Sequence, residues 1–144
     1  LYSKKQIEEL RKEYPKISDE YLEYLSEIGA GSFGREFCTI FGDLCELDEF
    51  YDESLLEFLD FEERVLQFGC DPSNKALVFL IDEDWKVGEI WDDDLGSIDK
   101  TGKTFYLDFN LQICQRCCIN NTFGIFRILS NIEFHNIINI NKLI

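Results

Sequence analysis

The spacing of apolar residues changes from a helical period to a strand period about a quarter of the way along the chain. Ile7, Leu10 and Tyr14 recur every three or four positions in a polar stretch, behind a Ser3/Gln6 pair suited to a capping box. This predicts a first helix over residues 4–14, broken at Pro15. Tyr21, Leu22, Leu25 and Ile28 repeat the pattern. Ser18 or Asp19 can cap there, and Asp19 and Glu20 suit the positive first turn, so a second helix is predicted over 19–28. Gly29 stands where a left-handed terminal residue is needed. Residues 36–41 then read as a short strand closed by Gly42 and Asp43. Residues 64–68 alternate and end at Gly69, and 70–74 have the composition of a turn. Residues 76–81 are continuously apolar, which suits a central strand covered on both faces. Asp82, Glu83 and Asp84 turn the chain into a return strand over 86–91. Helices followed by consecutive strands predict an α+β fold, with N-terminal helices packed on a mainly antiparallel sheet.

Two regions are less regular. Residues 44–63 are acidic, with Leu55, Leu56 and Leu59 suggesting a helical turn or two in a mostly solvated segment. Beyond Asp94, Thr104 can cap a third helix carrying Phe105, Phe109 and Ile113, while residues 105–107 fit a strand equally well. The Ile- and Asn-rich stretch 119–144 reads as a C-terminal extension to a domain spanning 1–118.

The chain has 144 residues, 45% of them hydrophobic and 13 of them Phe. That suffices for one domain with a sizeable core. No apolar run reaches membrane-spanning length, and the first residues lack the apolar stretch of a secretory signal. A cytoplasmic protein is expected.

Charge narrows the partners. The formal net charge is -15, and residues 43–63 hold ten acids without a Lys or Arg. Residues 82–94 hold seven acids and one Lys. Such a surface repels nucleic-acid phosphates and anionic lipid, so neither nucleic acid nor membrane is expected as a partner. It attracts a basic protein and speeds its docking. The same charge also serves plain solubility.

Other chemistry is weakly indicated. Gly29, Gly31 and Gly34 fit G-x-G-x-x-G, but a helical pattern precedes them and no V-A-I-K or D-F-G follows, so a helix stop is predicted rather than a phosphate loop. Of six cysteines, Cys114 and Cys117 form a C-x-x-C, yet no second half-site completes a zinc centre. Reduced thiols are expected, with a small metal or redox protein using Cys114 and Cys117 as an alternative. Asp82 to Gly88 misplaces the glycine of a calcium loop and lacks its terminal Glu. His135 has no acid or thiol neighbour to form a triad. No catalytic residue, metal or cofactor is predicted. Trp91 is expected in the core, at the end of a strand, and Trp85 on the surface, in a charged turn where it can anchor a partner.

The order of these signals resembles the SUKH superfamily, in the branch of cell-wall-synthesis regulators and bacterial immunity proteins. The resemblance rests on Glu20-Tyr21, Tyr24-Leu25, Glu27-Ile28-Gly29 and the Ile40-Phe41-Gly42 strand end. It continues through residues 65–69, 76–82 and 88–91, and Thr104-Phe105 with Phe109 is similar to the closing helix. Coverage is about residues 3–114. The family has Leu-Pro where this chain has Ile17-Ser18, and the acidic stretch and the tail have no counterpart. The resemblance implies a non-enzymatic protein-binding module. Its leading form is an immunity protein that neutralises a cognate toxin or other basic protein of nuclease type. A regulatory interaction module of the same fold is the alternative. Candidate partner-binding residues are Asp82, Glu83, Asp84, Trp85, Glu89, Trp91, Asp92, Asp93 and Asp94, with Asp48, Glu49 and Asp52. Oligomeric state is left open.

Overall fold

The helices form where local capping chemistry is complete. In the computed structural model, which describes residues 1–32 and 38–105, α1 (Lys4–Glu13) opens on the expected capping box. The Ser3 hydroxyl accepts the Gln6 N–H, and the Gln6 side-chain oxygen accepts the Ser3 N–H at 2.9 Å. Helix α2 (Asp19–Glu27) is capped by Ser18, whose hydroxyl accepts the Tyr21 N–H. It stops at Gly29, whose φ of +95° lies in the left-handed region that glycine alone enters freely. Gly29 therefore ends a helix; Gly34 lies outside the described residues.

Six strands follow: β1 (Gly31–Ser32), β2 (Thr39–Cys45), β3 (Val65–Cys70), β4 (Ala76–Leu80), β5 (Lys86–Trp91) and β6 (Asp94–Lys100). They pair in chain order, antiparallel throughout, as a six-stranded meander. The α+β architecture with helices preceding an antiparallel sheet is thus present. Between β2 and β3 lie two short helices, α3 (Leu47–Phe50) and α4 (Glu53–Leu56). Among the described residues, no helix is long and apolar enough to cross a membrane.

The sheet is covered on both faces, as the continuous apolar run of β4 requires. Leu77 and Phe79 point one way. Phe79 stacks on Phe68 at 4.3 Å, and Tyr21 of α2 meets Phe79 and Phe105 edge-on, each at 5.4 Å. Burial of each such apolar side chain contributes about 1.5–3 kcal/mol. The Tyr21 hydroxyl donates to the Phe41 carbonyl, so its one polar atom is satisfied. Ala76, Val78 and Leu80 point the other way, into a cluster with Val65, Ile90, Leu95, Leu47 and Tyr51.

Two expectations are corrected. Gly42 and Asp43 do not close a strand: β2 runs through them to Cys45, because a shift in register between Ile40 and Cys45 absorbs extra residues against β3. Likewise β3 continues through Gly69, whose missing side chain lets the Thr39 carbonyl approach. Residues 44–63 are mostly exposed, as expected, but the segment is anchored to the sheet. Leu47 and Tyr51 are buried, and Phe50, Leu56, Leu59 and Phe61 pack on the second face of the sheet. Strand β6 had no sequence expectation. The third helix is described only at Phe105, which is buried. The boundary at 118 and the 119–144 extension lie outside the described residues.

Candidate functional site

The predicted acids do not form one strip. Asp82, Glu83 and Asp84 occupy the β4–β5 turn, while Asp92 and Asp93 occupy the β5–β6 turn and Asp94 begins β6. These turns lie at opposite ends of β5, a six-residue strand and so about 17 Å long. That exceeds the roughly 8–10 Å screening length of physiological salt, so the two ends act on a partner separately.

The ends also differ in neutralisation. At the β4–β5 end, Asp82 lies 3.6 Å from Arg64, and Lys100 bridges Glu63 at 2.9 Å and Glu83 at 2.7 Å. The hydrogen bond donated by Lys100 holds the Glu63 carboxyl below its ordinary range, and donating to Glu83 and Glu63 holds the Lys100 ammonium above its own. At the β5–β6 end, Asp92, Asp93 and Asp94 are exposed, and among the described residues none is in an ion pair. Asp94 accepts only the Ser97 hydroxyl, at 2.7 Å.

The segment after α3 wraps against this second end and makes a groove. A cavity of about 720 Å³ lies between Leu55, Phe58, Leu59 and the 92–96 turn, with Glu57 and Asp60 on its rim. A smaller one of about 430 Å³ adjoins it, lined by Tyr51, Asp52 and Asn74 and sharing Leu55, Asp92 and Leu95. The floor is apolar and the rim carries six carboxylates (Asp52, Glu57, Asp60, Asp92, Asp93 and Asp94), and among the described residues no Lys or Arg lines it. Phe58 is 57% exposed and Leu55 38%, so the floor faces water.

Tyr51 belongs to both the core and the groove. It is 6% exposed, and its hydroxyl has no hydrogen-bond partner. Burial, then the charge of Asp92 and the neighbouring Cys70, push the phenol up to about 12. An unpartnered buried hydroxyl costs about 1–3 kcal/mol.

Several predicted site residues are placed elsewhere. Trp85 is not a surface anchor. Its backbone φ is +58°, following Asp84 at +54°, and this left-handed pair turns the indole inward to 7% exposure against Phe79 and Tyr14. Trp91 is not core: it is 43% exposed, with the Lys75 ammonium 4.5 Å above its ring. Alternation along β5 puts it on the face opposite Ile90. Glu89 is only 9% exposed and is not poised for a partner, because it pairs with Lys75 at 2.9 Å in a buried cluster that includes Asp71. Asp48 and Glu49 are exposed on α3, outside the groove lining, whereas Asp52 is part of it. Sequence reasoning missed Leu55, Glu57, Phe58, Asp60 and Leu95 as one site. The signal available was an acidic segment whose apolar residues exceed what one helical stripe needs.

Cys38, Cys45 and Cys70 are free thiols. Burial, then Glu49 and Glu46, push the Cys45 thiol up to about 11, away from a reactive thiolate. Among the described residues, no group of three or more His, Cys, Asp or Glu is arranged to hold a metal ion. Cys114, Cys117 and His135 lie outside the described residues. Comparisons with protein-family models, curated proteins and solved structures find no match for this chain.

Proposed function

We propose that this chain is a non-enzymatic protein-binding module of the SUKH type, and that it neutralises a basic, nuclease-type toxin through its acidic surface. The observation that carries this reading is the unneutralised rim of carboxylates at the β5–β6 end. A nuclease must line its substrate groove with Lys and Arg to hold phosphate. Closely set carboxylates present the same charge as a phosphate backbone, and they do so without counter-cations that must first be displaced. Steering of this kind raises association rates by about 10–10³-fold at low salt. It also blocks the groove that the toxin needs for its substrate.

The test uses the whole chain as bait at low salt and at roughly 0.5 M salt, where surface charges are screened. The expected result is salt-sensitive capture of a basic protein whose nuclease activity falls to background when the chain is added in equal amount. Capture of a neutral or acidic regulatory protein, or of a nuclease that stays active in the complex, would overturn the reading. The first of these results would favour the regulatory module.

A further inference from the structure

We propose that the groove between α4 and the β5–β6 turn is a docking site for a cationic segment bearing an apolar anchor. Such a segment carries an aromatic or branched aliphatic side chain flanked by Lys or Arg; the identity of its natural owner rests on the toxin reading. Three observations converge. The floor supplies Leu55 and Phe58, two of the large hydrophobic side chains that the described surface leaves exposed. An apolar floor of this kind gains from an anchor, which a purely electrostatic surface does not. Among the described residues the charged groups of the lining are all carboxylates, so cationic flanks are favoured over acidic or neutral ones. The third observation is independent of both. Tyr51, more than nine-tenths buried, lines the smaller lobe between Asp52 and Asp92 with its hydroxyl unpartnered. That hydroxyl is itself shut off from solvent, so the groups an entering ammonium or guanidinium meets in this lobe are the Asp52 and Asp92 carboxylates beside the Tyr51 wall.

The dimensions agree. The larger lobe, about 720 Å³, and the smaller, about 430 Å³, share Leu55, Asp92 and Leu95 and so lie side by side. Each lies within the range of sites that enclose a ligand group. An anchor in the larger lobe leaves a neighbouring Lys or Arg beside the smaller one. A lone metal ion gains nothing from Phe58 and Leu55.

The experiment measures fluorescence anisotropy of three labelled peptides on the intact chain, at about 50 and 300 mM salt. The first alternates Lys and Arg with Trp and Leu. The second keeps the charge and replaces the anchors with Ser. The third keeps the anchors and replaces the cations with Glu. The expected result is that the first binds about tenfold or more tighter than the second, and that the third does not bind. Phe58→Ser, at an exposed position, should weaken the first peptide about tenfold and leave the second unchanged. Asp92→Asn, which removes a carboxylate shared by both lobes, should weaken both cationic peptides. Reversal of the other end, Asp82→Lys with Asp84→Lys, should change none of them more than about twofold. Equal affinity for the first and second peptides, or for spermine and the first, would overturn the proposal. So would an unchanged affinity in Phe58→Ser. The two readings separate cleanly. If Phe58→Ser loses the peptide but still inhibits the captured nuclease, the groove is not the toxin's seat. If the chain binds the peptide yet inhibits no nuclease, the toxin reading falls and the groove stands.

Discussion

Removing the Glu89 carboxylate should destabilise the sheet without touching partner recognition. Glu89 lies 2.9 Å from the Lys75 ammonium, Asp71 lies 3.8 Å from it, and all three side chains are nearly buried. At an effective dielectric constant of about 20, these separations correspond to attractions of roughly 6 and 4 kcal/mol before desolvation is charged against them. Breaking a buried pair costs about 3–5 kcal/mol, because a charge is stranded. In Glu89→Ala the ammonium keeps Asp71 and the Trp91 ring. The cost should therefore fall at or just below the lower end, about 2–3 kcal/mol. For a folded unit of this size that is a fall in Tm of about 10–20 °C. Urea and thermal unfolding at pH 7, followed by circular dichroism, would measure it, with the urea slope expected to stay constant. The informative partner is Lys75→Met. If stranding is the mechanism, Lys75→Met, which strands both Asp71 and Glu89, should cost more than Glu89→Ala, and the double variant, with Asp71 alone left charged, should recover part of that larger loss. A cost below about 1 kcal/mol for Glu89→Ala, or no recovery in the double variant, would refute this account. Peptide and partner affinity, measured where both proteins are folded, should agree within about twofold.

Two further outcomes test the strained turn and the groove. Trp85→Ala should cost about 3–5 kcal/mol for the buried indole, yet Trp85→Gly should be the less damaging change, by up to about 1 kcal/mol. The reason is that Gly adopts the φ of +58° freely while Ala does not; chemical unfolding of the two variants would rank them. The Tyr51 phenol stands near 12 in the folded chain against 10 unfolded, a raised value. Its contribution to stability should then be complete below pH 10 and be lost as pH rises through about 12. Phenolate absorbance during alkaline titration should show several late tyrosines, Tyr14, Tyr21 and Tyr24 among them, and Asp92→Asn should move only the Tyr51 step to lower pH; an unmoved titration would put Asp92 outside its field.

What was legible in the sequence followed the range of the interaction responsible. The caps of α1 and α2 are contacts over three residues, so Ser3, Gln6 and Ser18 declared themselves, as did the helix stop at Gly29. Strand β4 was legible because both its faces are buried, and a run of five apolar residues leaves few alternatives. Strand β6 was not, since only Leu95 is buried and Ile98 half-buried, three positions apart, in a strand whose pairing to β5 slips between Glu89 and Trp91. A period of two cannot be read from such a pattern. The two tryptophans were exchanged for a related reason. A charged turn suggests exposure, and nothing local announces that Asp84 and Trp85 both adopt positive φ and swing the ring inward. The exposure of Trp91 is tied to Lys75, sixteen residues upstream and reached only through the pairing of β4 with β5.

The groove was illegible for the strongest form of that reason, because its floor and rim come from segments about forty residues apart. Read along the chain, acids at 52–60 and at 92–94 look alike, and both resemble the acids at 82–84. In the fold they separate into two kinds. Arg64 and Lys100 stand among the acids of the β4–β5 end, so that end is a conventional solvated surface held by exposed ion pairs of small individual worth. The β5–β6 end gathers six carboxylates around an apolar floor, with no Lys or Arg among the described lining residues, and the Lys75 ammonium over Trp91 is already paired with Glu89 and Asp71. Like charges brought together by folding oppose it, and a net charge of -15 already works against compaction. Solubility would be served equally well by the same acids spread over the surface. The proposed occupant, which supplies cations to the rim and apolar surface to the floor, would account for their concentration around exposed Leu55 and Phe58. Binding such an occupant relieves both the repulsion and the exposed hydrophobic area, so the features that weaken the free chain here are the ones that strengthen the complex.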